Sequence, residues 1–343
     1  MSLRLGINRW DWRSPNHFVQ SVVAAETHGV DICFQPVNPL GVMDPYVLFA
    51  LAAQQTSSIH FGTLLETPQL RPAAVAAGST ATIEAVAPGR TMLVYGVGDT
   101  AVRWINRRPS RMAELEEATV QARAYLRGDR LDVGARAPAW LRHGDHTNPP
   151  PVWIAASGPK TLRMAGRVAD GVFLRCGTHP ANIAHAVAQI DAGIAEAGRS
   201  IDEVDVGLIV HTCLSQHPAE IRAITRAMAA GFYEYAPALF DPPEFEWNGP
   251  PVHELQEQVW PDFHHARDLV GAGQVVDFLP DEIAGSFSFF GTADDVVGQI
   301  NRILDAVPRI SIVVPHPVPM PNWDDLGDYA RWVGAELKPR LPV

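Results

Sequence analysis

Cysteine is scarce in this chain of 343 residues: only Cys33, Cys176 and Cys213 occur, widely spaced and odd in number. That pattern speaks against a disulfide framework and fits a reducing compartment. No CxxC and no HExxH is present, so the sequence signals neither a structural zinc site nor a zincin. Basic residues are outnumbered, 27 lysines and arginines against 38 aspartates and glutamates, for a formal charge of -11. A general nucleic-acid binder, which needs a clustered basic surface, is not expected. No stretch approaches the roughly 18 consecutive apolar residues that mark a membrane-spanning helix. The opening MSLRLGINRWDW carries polar groups where a secretion leader needs an apolar run, so a cytoplasmic protein is expected. Repeats and low-complexity tracts are missing too, and a single domain over 1–343 is the expectation.

What is present is alternation. Short apolar runs that read as strands, Leu3–Ile7, Val30–Phe34, Ile59–Leu65, Thr91–Tyr95, Val152–Ala155, Gly171–Leu174, Val204–Val210 and Ile310–Val314, alternate with longer helical patterns. Asp44-Pro45 has the chemistry of an N-cap and first turn, and Gly29 and Pro88-Gly89 close helices. Two stretches break the rhythm. Residues 128–151, with a triple proline at 149–151, read as an insertion forming a flap. Residues 231–290, rich in proline and aromatics, read as a second insertion with one helix over 252–270. Both are expected to cover a pocket and set specificity. Eight strands with intervening helices favour an α/β fold of the (β/α)8 TIM-barrel type. The alternative is an open Rossmann-type sheet. It is supported by Gly96-Val97-Gly98-Asp99-Thr100-Ala101, a relaxed GxGxxA after the fourth strand rather than the first.

In a barrel, chemistry gathers where the strands end. Those ends supply Asn8, Arg9, Trp10 and Asp11, then Gln35 and Asn38, Glu66, and Gly96, Gly98 and Asp99. The later strands add Ser157, Gly158 and Lys160, then Arg175, Cys176, Gly177 and Thr178, and finally His211 and His316. In Ser157-Gly158-Pro159-Lys160 the serine suits an N-cap, the glycine permits close approach and the proline suits a first turn. Free N–H groups at such a start hold phosphate, although an ordinary capped helix has the same sequence. Gly96–Asp99 could lie against a planar ring or be a plain βα turn. Trp10 and Trp12 could line a pocket or serve packing. Arg103, Arg107, Arg108 and Arg111 read as a solvated face more than as an anion site.

The stretches Glu66-Thr67-Pro68-Gln69-Leu70-Arg71-Pro72, Gly96–Val102 and Ala155-Ala156-Ser157-Gly158-Pro159-Lys160, running on to Ala169-Asp170-Gly171, resemble the luciferase-like flavin enzymes. Within them the likeness is to the deazaflavin (coenzyme F-420)-dependent branch, typified by methylenetetrahydromethanopterin reductase. The resemblance covers nearly the whole chain. It implies a hydride-transferring oxidoreductase with coenzyme F-420 across the barrel mouth. FMN, in a monooxygenase or in a catalytically silent binding barrel, is the alternative. It places the cofactor phosphate on Ser157, Gly158 and Lys160, with Gly177 and Thr178 nearby, and Gly96 and Gly98 against the ring. A cis peptide at Leu64-Leu65 is implied behind the ring. Asp99 is implied as the acid beside it, with Asn38, Glu66 and His316 as further catalytic candidates. A small-molecule substrate and a homodimer are likewise implied. In one place the chain departs from its relatives. Many carry an Asp-His pair beyond strand two where Val37-Asn38 stands here, and an asparagine cannot shuttle a proton.

Overall fold

The computed structural model describes residues 3–8, 14–213, 215, 217–241, 245–318 and 326–342. Arg9, Trp10, Asp11 and Trp12 lie outside the described residues. Nine strands form one sheet: β1 (Arg4–Asn8), β2 (Ile32–Gln35), β3 (His60–Thr63), β4 (Thr91–Tyr95), β5 (Val152–Ala156), β6 (Gly171–Leu174), β7 (Asp205–Cys213), β8 (Ser288–Phe290) and β9 (Ile310–Val318). The order β6-β5-β4-β3-β2-β1-β9-β7 closes because β6 also pairs with β7. The pairings are parallel. A closed ring of eight parallel strands is a (β/α)8 barrel, and an open Rossmann sheet is excluded because such a sheet has two edges. The short β8 stands outside the ring on the end of β7, with His211 level with Ser288.

Helices α1 (Pro15–Thr27), α2 (Pro45–Ala53), α3 (Ala73–Val86), α4 (Thr100–Arg103), α5 (Met112–Leu126), α6 (Pro159–Val168) and α7 (Pro180–Glu196) follow β1 to β6. Between β7 and β9 the chain makes α8 (Pro218–Tyr235), α9 (Val252–Gln256), α10 (Leu269–Val275), α11 (Asp281–Gly285) and α12 (Ala293–Ala306), and α13 (Leu326–Arg331) follows β9. Local chemistry explains several starts. The Asp44 carboxylate accepts from the N–H groups of Tyr46 and Val47 at 3.0 and 3.4 Å, capping α2. Thr292 and Asp295 form a reciprocal capping box at α12. Among the described residues, no helix is long and apolar enough to cross a membrane.

The barrel interior is filled by Ile32, Phe34, Met92, Val94, Trp153, Phe173, Ile209, Ile312 and Val314, all buried. Three rings dominate. Phe34 and Phe173 meet edge to face at 5.4 Å, and Trp153 lies 4.7 Å from Phe173 between centroids. Each such pair contributes about 0.5–1.5 kcal/mol beyond its buried area. Glycines on neighbouring strands leave the space. A Cβ on Gly62 would lie 2.7 Å from Phe34, one on Gly171 2.3 Å from Trp153, and one on Gly207 2.4 Å from Phe173. The Ala169-Asp170-Gly171 motif is therefore architectural. Its glycine admits Trp153, while Asp170 accepts the Val152 N–H at 2.9 Å and pairs with Arg123 at 2.5 Å.

The structure corrects several expectations. Residues 128–151 join α5 to β5, so they lie at the strand starts, opposite the mouth. His146 reaches the Leu126 carbonyl at 2.9 Å and His143 the Gly78 carbonyl at 3.5 Å. None of its residues lines the cavity at the strand ends; Pro149, Pro150 and Pro151 instead line a smaller pocket with Arg123, Arg127 and Asp170. The helix expected over 252–270 stops at Gln256, and the next begins at Leu269. Pro261, with no N–H to give, falls inside the gap. Strands β7 and β9 run past their expected ends, so His211 and His316 stand within strands rather than after them. β9 bonds β1 only at Arg4↔Ile312 and Leu5↔Val313, while β7 accompanies it to Val318. Beyond Val313 no strand among the described residues bonds that edge of β9, and an edge tolerates Pro315 and Pro317.

Candidate active site

The strand ends surround a cavity of about 400 Å³ lined by turns from both halves of the barrel. Its floor comes from β3 and β4. The Leu64–Leu65 peptide is cis, as the resemblance implied, and both leucines face the cavity. Gly98 has φ +74°, and a Cβ there would come within 3.0 Å of Thr67. Gly96 is buried behind Leu65, whose Cδ2 would lie 2.5 Å from an added Cβ, and it does not line the cavity. Asp99 does, with its carboxylate paired to Arg103 one helical turn on.

Opposite, Ser157, Gly158 and Thr161 form the start of α6. Here Gly158, not Ser157, is the N-cap, and no side chain caps the helix. Leu162 makes the first helical bond, to Gly158 at 3.0 Å. The Lys160 and Thr161 N–H groups that precede it carry the positive end of the helix dipole. An added Cβ on Gly158 would meet nothing within 4 Å. The Lys160 side chain is exposed and stands off the cavity. Gly177 and Thr178 are not at this turn. The Thr178 N–H donates to the Ser286 carbonyl at 2.8 Å and its hydroxyl to Gly285 at 3.3 Å, tying the end of β6 to the loop before β8.

Glu66, offered as a catalytic candidate, faces away. Fully buried, it accepts from its neighbour's Thr67 N–H at 2.9 Å, from the Tyr46 hydroxyl at 3.2 Å and from Arg71 at 3.3 Å. Burial pushes its carboxyl up to about 7, against the pull of the Thr67 N–H and Arg71. Its place outside the barrel wall makes it a structural ion pair. Asn38 does line the cavity, and its Oδ1 accepts from the Gly41 N–H at 3.2 Å.

Imidazoles from β7 and β9 line the cavity as well. His211 and His316 are level across β7 and β9, with ring centroids 5.5 Å apart. His264 lies 4.5 Å from His211. Arg175, at the end of β6, shares the cavity. Burial, reinforced by Arg175, pushes His316 and His264 down to about 3 and drives His211 well below its ordinary range. These rings are neutral hydrogen-bonding groups near neutral pH. Asn8 and His211 line the cavity, and Oδ1 of the first and Nδ1 of the second are buried with no hydrogen-bond partner among the described residues. That is the state of groups awaiting a polar ligand or water. Burial pushes the Cys176 and Cys213 thiols up to about 12 and about 11, so neither is a thiolate nucleophile.

The 231–290 insertion was expected to cover a pocket, but sequence reading singled out none of its residues. Tyr235 and His265 reach the cavity wall from it. His265 Nδ1 sits 2.8 and 2.9 Å from the two oxygens of Asp262. A second chamber, about 820 Å³, adjoins through Asp99, Thr100 and Tyr235 and is walled by Trp104, Glu234 and Trp260. Burial, with Asp262 nearby, pushes Glu234 up to about 7. Of the arginine cluster, Arg108 pairs with Glu114 and Arg107 reaches the Gln69 carbonyl, both at the surface.

A family model described as luciferase-like monooxygenase matches residues 7–308. The chain belongs to that family. Among luciferase-like relatives it is 34% identical over 315 residues to an F-420-dependent glucose-6-phosphate dehydrogenase of Nocardia farcinica, covering 85% of each. It is 27% identical over 281 residues to a 5,10-methylenetetrahydromethanopterin reductase of Methanolobus tindarius, covering 76% of this chain and 79% of that one. The solved coenzyme F-420-dependent tetrahydromethanopterin reductase of Methanopyrus kandleri superposes with a TM-score of 0.73 at 21% identity, over 99% of this chain and 100% of that one. At that identity the likeness is one of fold. All of these names belong to oxidoreductases.

Proposed function

We propose that this luciferase-like protein is an F-420-dependent oxidoreductase that moves a hydride between the deazaflavin and a small organic substrate. One observation carries the reading: the Gly98–Asp99 turn, the Leu64–Leu65 pair and the uncapped α6 start at Ser157–Gly158 face a single cavity. The first two offer an apolar and backbone surface suited to a flat ring. The third offers N–H donors and open space suited to a phosphate. The relatives named as F-420-dependent support the choice of cofactor.

When bound, the deazaflavin supplies a two-electron hydride carrier, and the protein supplies orientation and electrostatics. Ser157, Gly158 and the backbone of Lys160 and Thr161 would hold its phosphate. Leu64, Leu65 and Gly98 would back the ring, with Asp99 at its edge. His211, His316 and Asn8 offer neutral hydrogen bonds. A small-molecule substrate would enter by the chamber beside Trp104 and Trp260.

Titration of the purified protein with F-420 and with FMN tests the assignment. Tight binding of F-420 and weak binding of FMN is the expected result. Tight FMN binding with oxygen consumption by the reduced flavin would replace this reading with an FMN monooxygenase.

A further inference from the structure

Among the described residues that line the cavity, Arg175 is the only arginine or lysine. Its place follows from the alternation along β6. Phe173 packs inside the barrel and Leu174 outside it, so Arg175, two residues after Phe173, returns to the inner face at the end of the strand. Its N–H donates to the Ala156 carbonyl at 3.0 Å, which fixes its backbone beside the turn into α6.

The guanidinium is half-buried, and among the described residues its side chain makes neither an ion pair nor a hydrogen bond. Half-buried arginines that hold this fold together are saturated. Arg199 donates to the carbonyls of Gly166, Arg167 and Ala169, and Arg90 to those of Ile59, Ala53 and Thr56. The acids within the field of Arg175 are committed elsewhere, Asp99 to Arg103 and Asp262 to His265. Burial keeps the nearby Tyr235 hydroxyl and the three imidazoles uncharged. An arginine cannot lose its proton, so five donors and a full positive charge stand at the cavity wall without an anion.

We infer that Arg175 is a specificity-determining residue of this cavity and that the substrate is a small organic acid, its carboxylate taken by the guanidinium. The planar fork matches a carboxylate with two parallel hydrogen bonds, which fixes orientation as well as position. Oδ1 of Asn8 and Nδ1 of His211, both buried, remain for the polar groups of the same molecule. This inference rests on the F-420 reading above, which gives the cofactor phosphate to the α6 turn and leaves Arg175 to the substrate.

Calorimetric titration of the protein, with and without F-420, tests it using acetate, lactate and benzoate as probes, each beside its neutral amide. With F-420 bound, at least one acid should bind wild type about tenfold more tightly than its amide, the margin of a charge-assisted hydrogen bond. Arg175→Gln should bring the two affinities level by weakening the acid alone, and Arg175→Lys, which keeps the charge, should retain part of the margin. The F-420 affinity of Arg175→Gln should stay within about threefold of wild type. Phenylglyoxal labelling of arginine, read residue by residue by mass spectrometry, needs no variant. The favoured acid should slow labelling of Arg175 and leave the exposed Arg136, Arg222 and Arg302 unchanged.

Absence of an acid preference in every pair overturns the inference, as does a preference that survives Arg175→Gln or labelling of Arg175 that the acid does not slow. A tenfold loss of F-420 affinity in Arg175→Gln assigns the guanidinium to the cofactor phosphate and also overturns it. Failure of F-420 to bind wild type defeats the cofactor assignment instead, and the acid–amide comparison on the free protein then decides the role of Arg175.

Discussion

The Tyr46 hydroxyl donates to Oε2 of Glu66 at 3.2 Å, and with Arg71 at 3.3 Å on the same oxygen it turns the carboxylate away from the cavity. Glu66 is a buried acid at the end of a barrel strand, in the position where catalytic acids are sought, and it is structural.

Its pH signature should show this. Burial raises the Glu66 carboxyl from its ordinary 4.5 to about 7. Between those values the unfolded chain has released a proton that the folded chain still holds, so raising the pH favours unfolding. The contribution of Glu66 is complete below pH 4.5 and is lost as pH rises through about 7. Urea-denaturation midpoints of wild type and Glu66→Gln across pH 4.5–8 should differ in slope, the variant falling less. F-420 affinity should stay within about threefold, or about 0.6 kcal/mol, of wild type. A large loss of affinity would return Glu66 to the site.

The imidazole cluster gives the opposite sign. His264 and His316 titrate at about 3 in the folded protein, against an ordinary 6.5. As pH falls below 6.5 the unfolded chain takes up protons that the native cluster refuses. Stability should therefore decline from about pH 6.5 toward 3. Arg175→Gln removes the cation that helps keep these rings neutral and should flatten the decline, read from denaturation midpoints at pH 6.5, 5.5 and 4.5. A slope identical to wild type would show that burial alone depresses the rings.

Gly158 separates ligand binding from folding. Its φ of -77° suits any residue, and a Cβ there meets no protein atom. Gly158→Ala should unfold within about 0.5 kcal/mol of wild type, as harmless substitutions do. It should nevertheless weaken F-420 by about tenfold, about 1.4 kcal/mol, by crowding the phosphate. Lys160→Ala, which removes only an exposed side chain, should leave affinity almost unchanged. Unaltered F-420 binding by Gly158→Ala would move the phosphate off this turn.

Gly98 should be less forgiving. Its φ of +74° and the Thr67 side chain 3.0 Å from an added Cβ penalise any other residue. Gly98→Ala is expected to cost about 1–3 kcal/mol of stability, measured by urea denaturation. A variant as stable as wild type would show that the turn relaxes freely.

Much of this was legible in the sequence because barrel strands buried on both faces appear as uninterrupted apolar runs such as Thr91–Tyr95 and Gly171–Leu174. The two turns facing the cavity were legible through glycine and proline. What escaped depends on tertiary context. Whether 128–151 covers the mouth follows from its place after a helix rather than after a strand. The reach of β9 through Pro315 and Pro317 depends on which edge is bonded. Ser157 has the right chemistry for a cap, but the chain turns one residue later and Gly158 takes the position. The Asp262–His265 pair lies in a stretch that reads as continuous helix until Pro261 is weighed, and only the folded turn joins its side chains.

The floor of the cavity and its phosphate-suited turn arise after β3, β4 and β5, whereas its cover hangs on the single connection between β7 and β9. Exchanging or lengthening that one connection alters what reaches the cavity, with no change to the wall beneath. A barrel so divided can acquire new chemistry by recombination at two crossover points, one after Cys213 and one before Ile310.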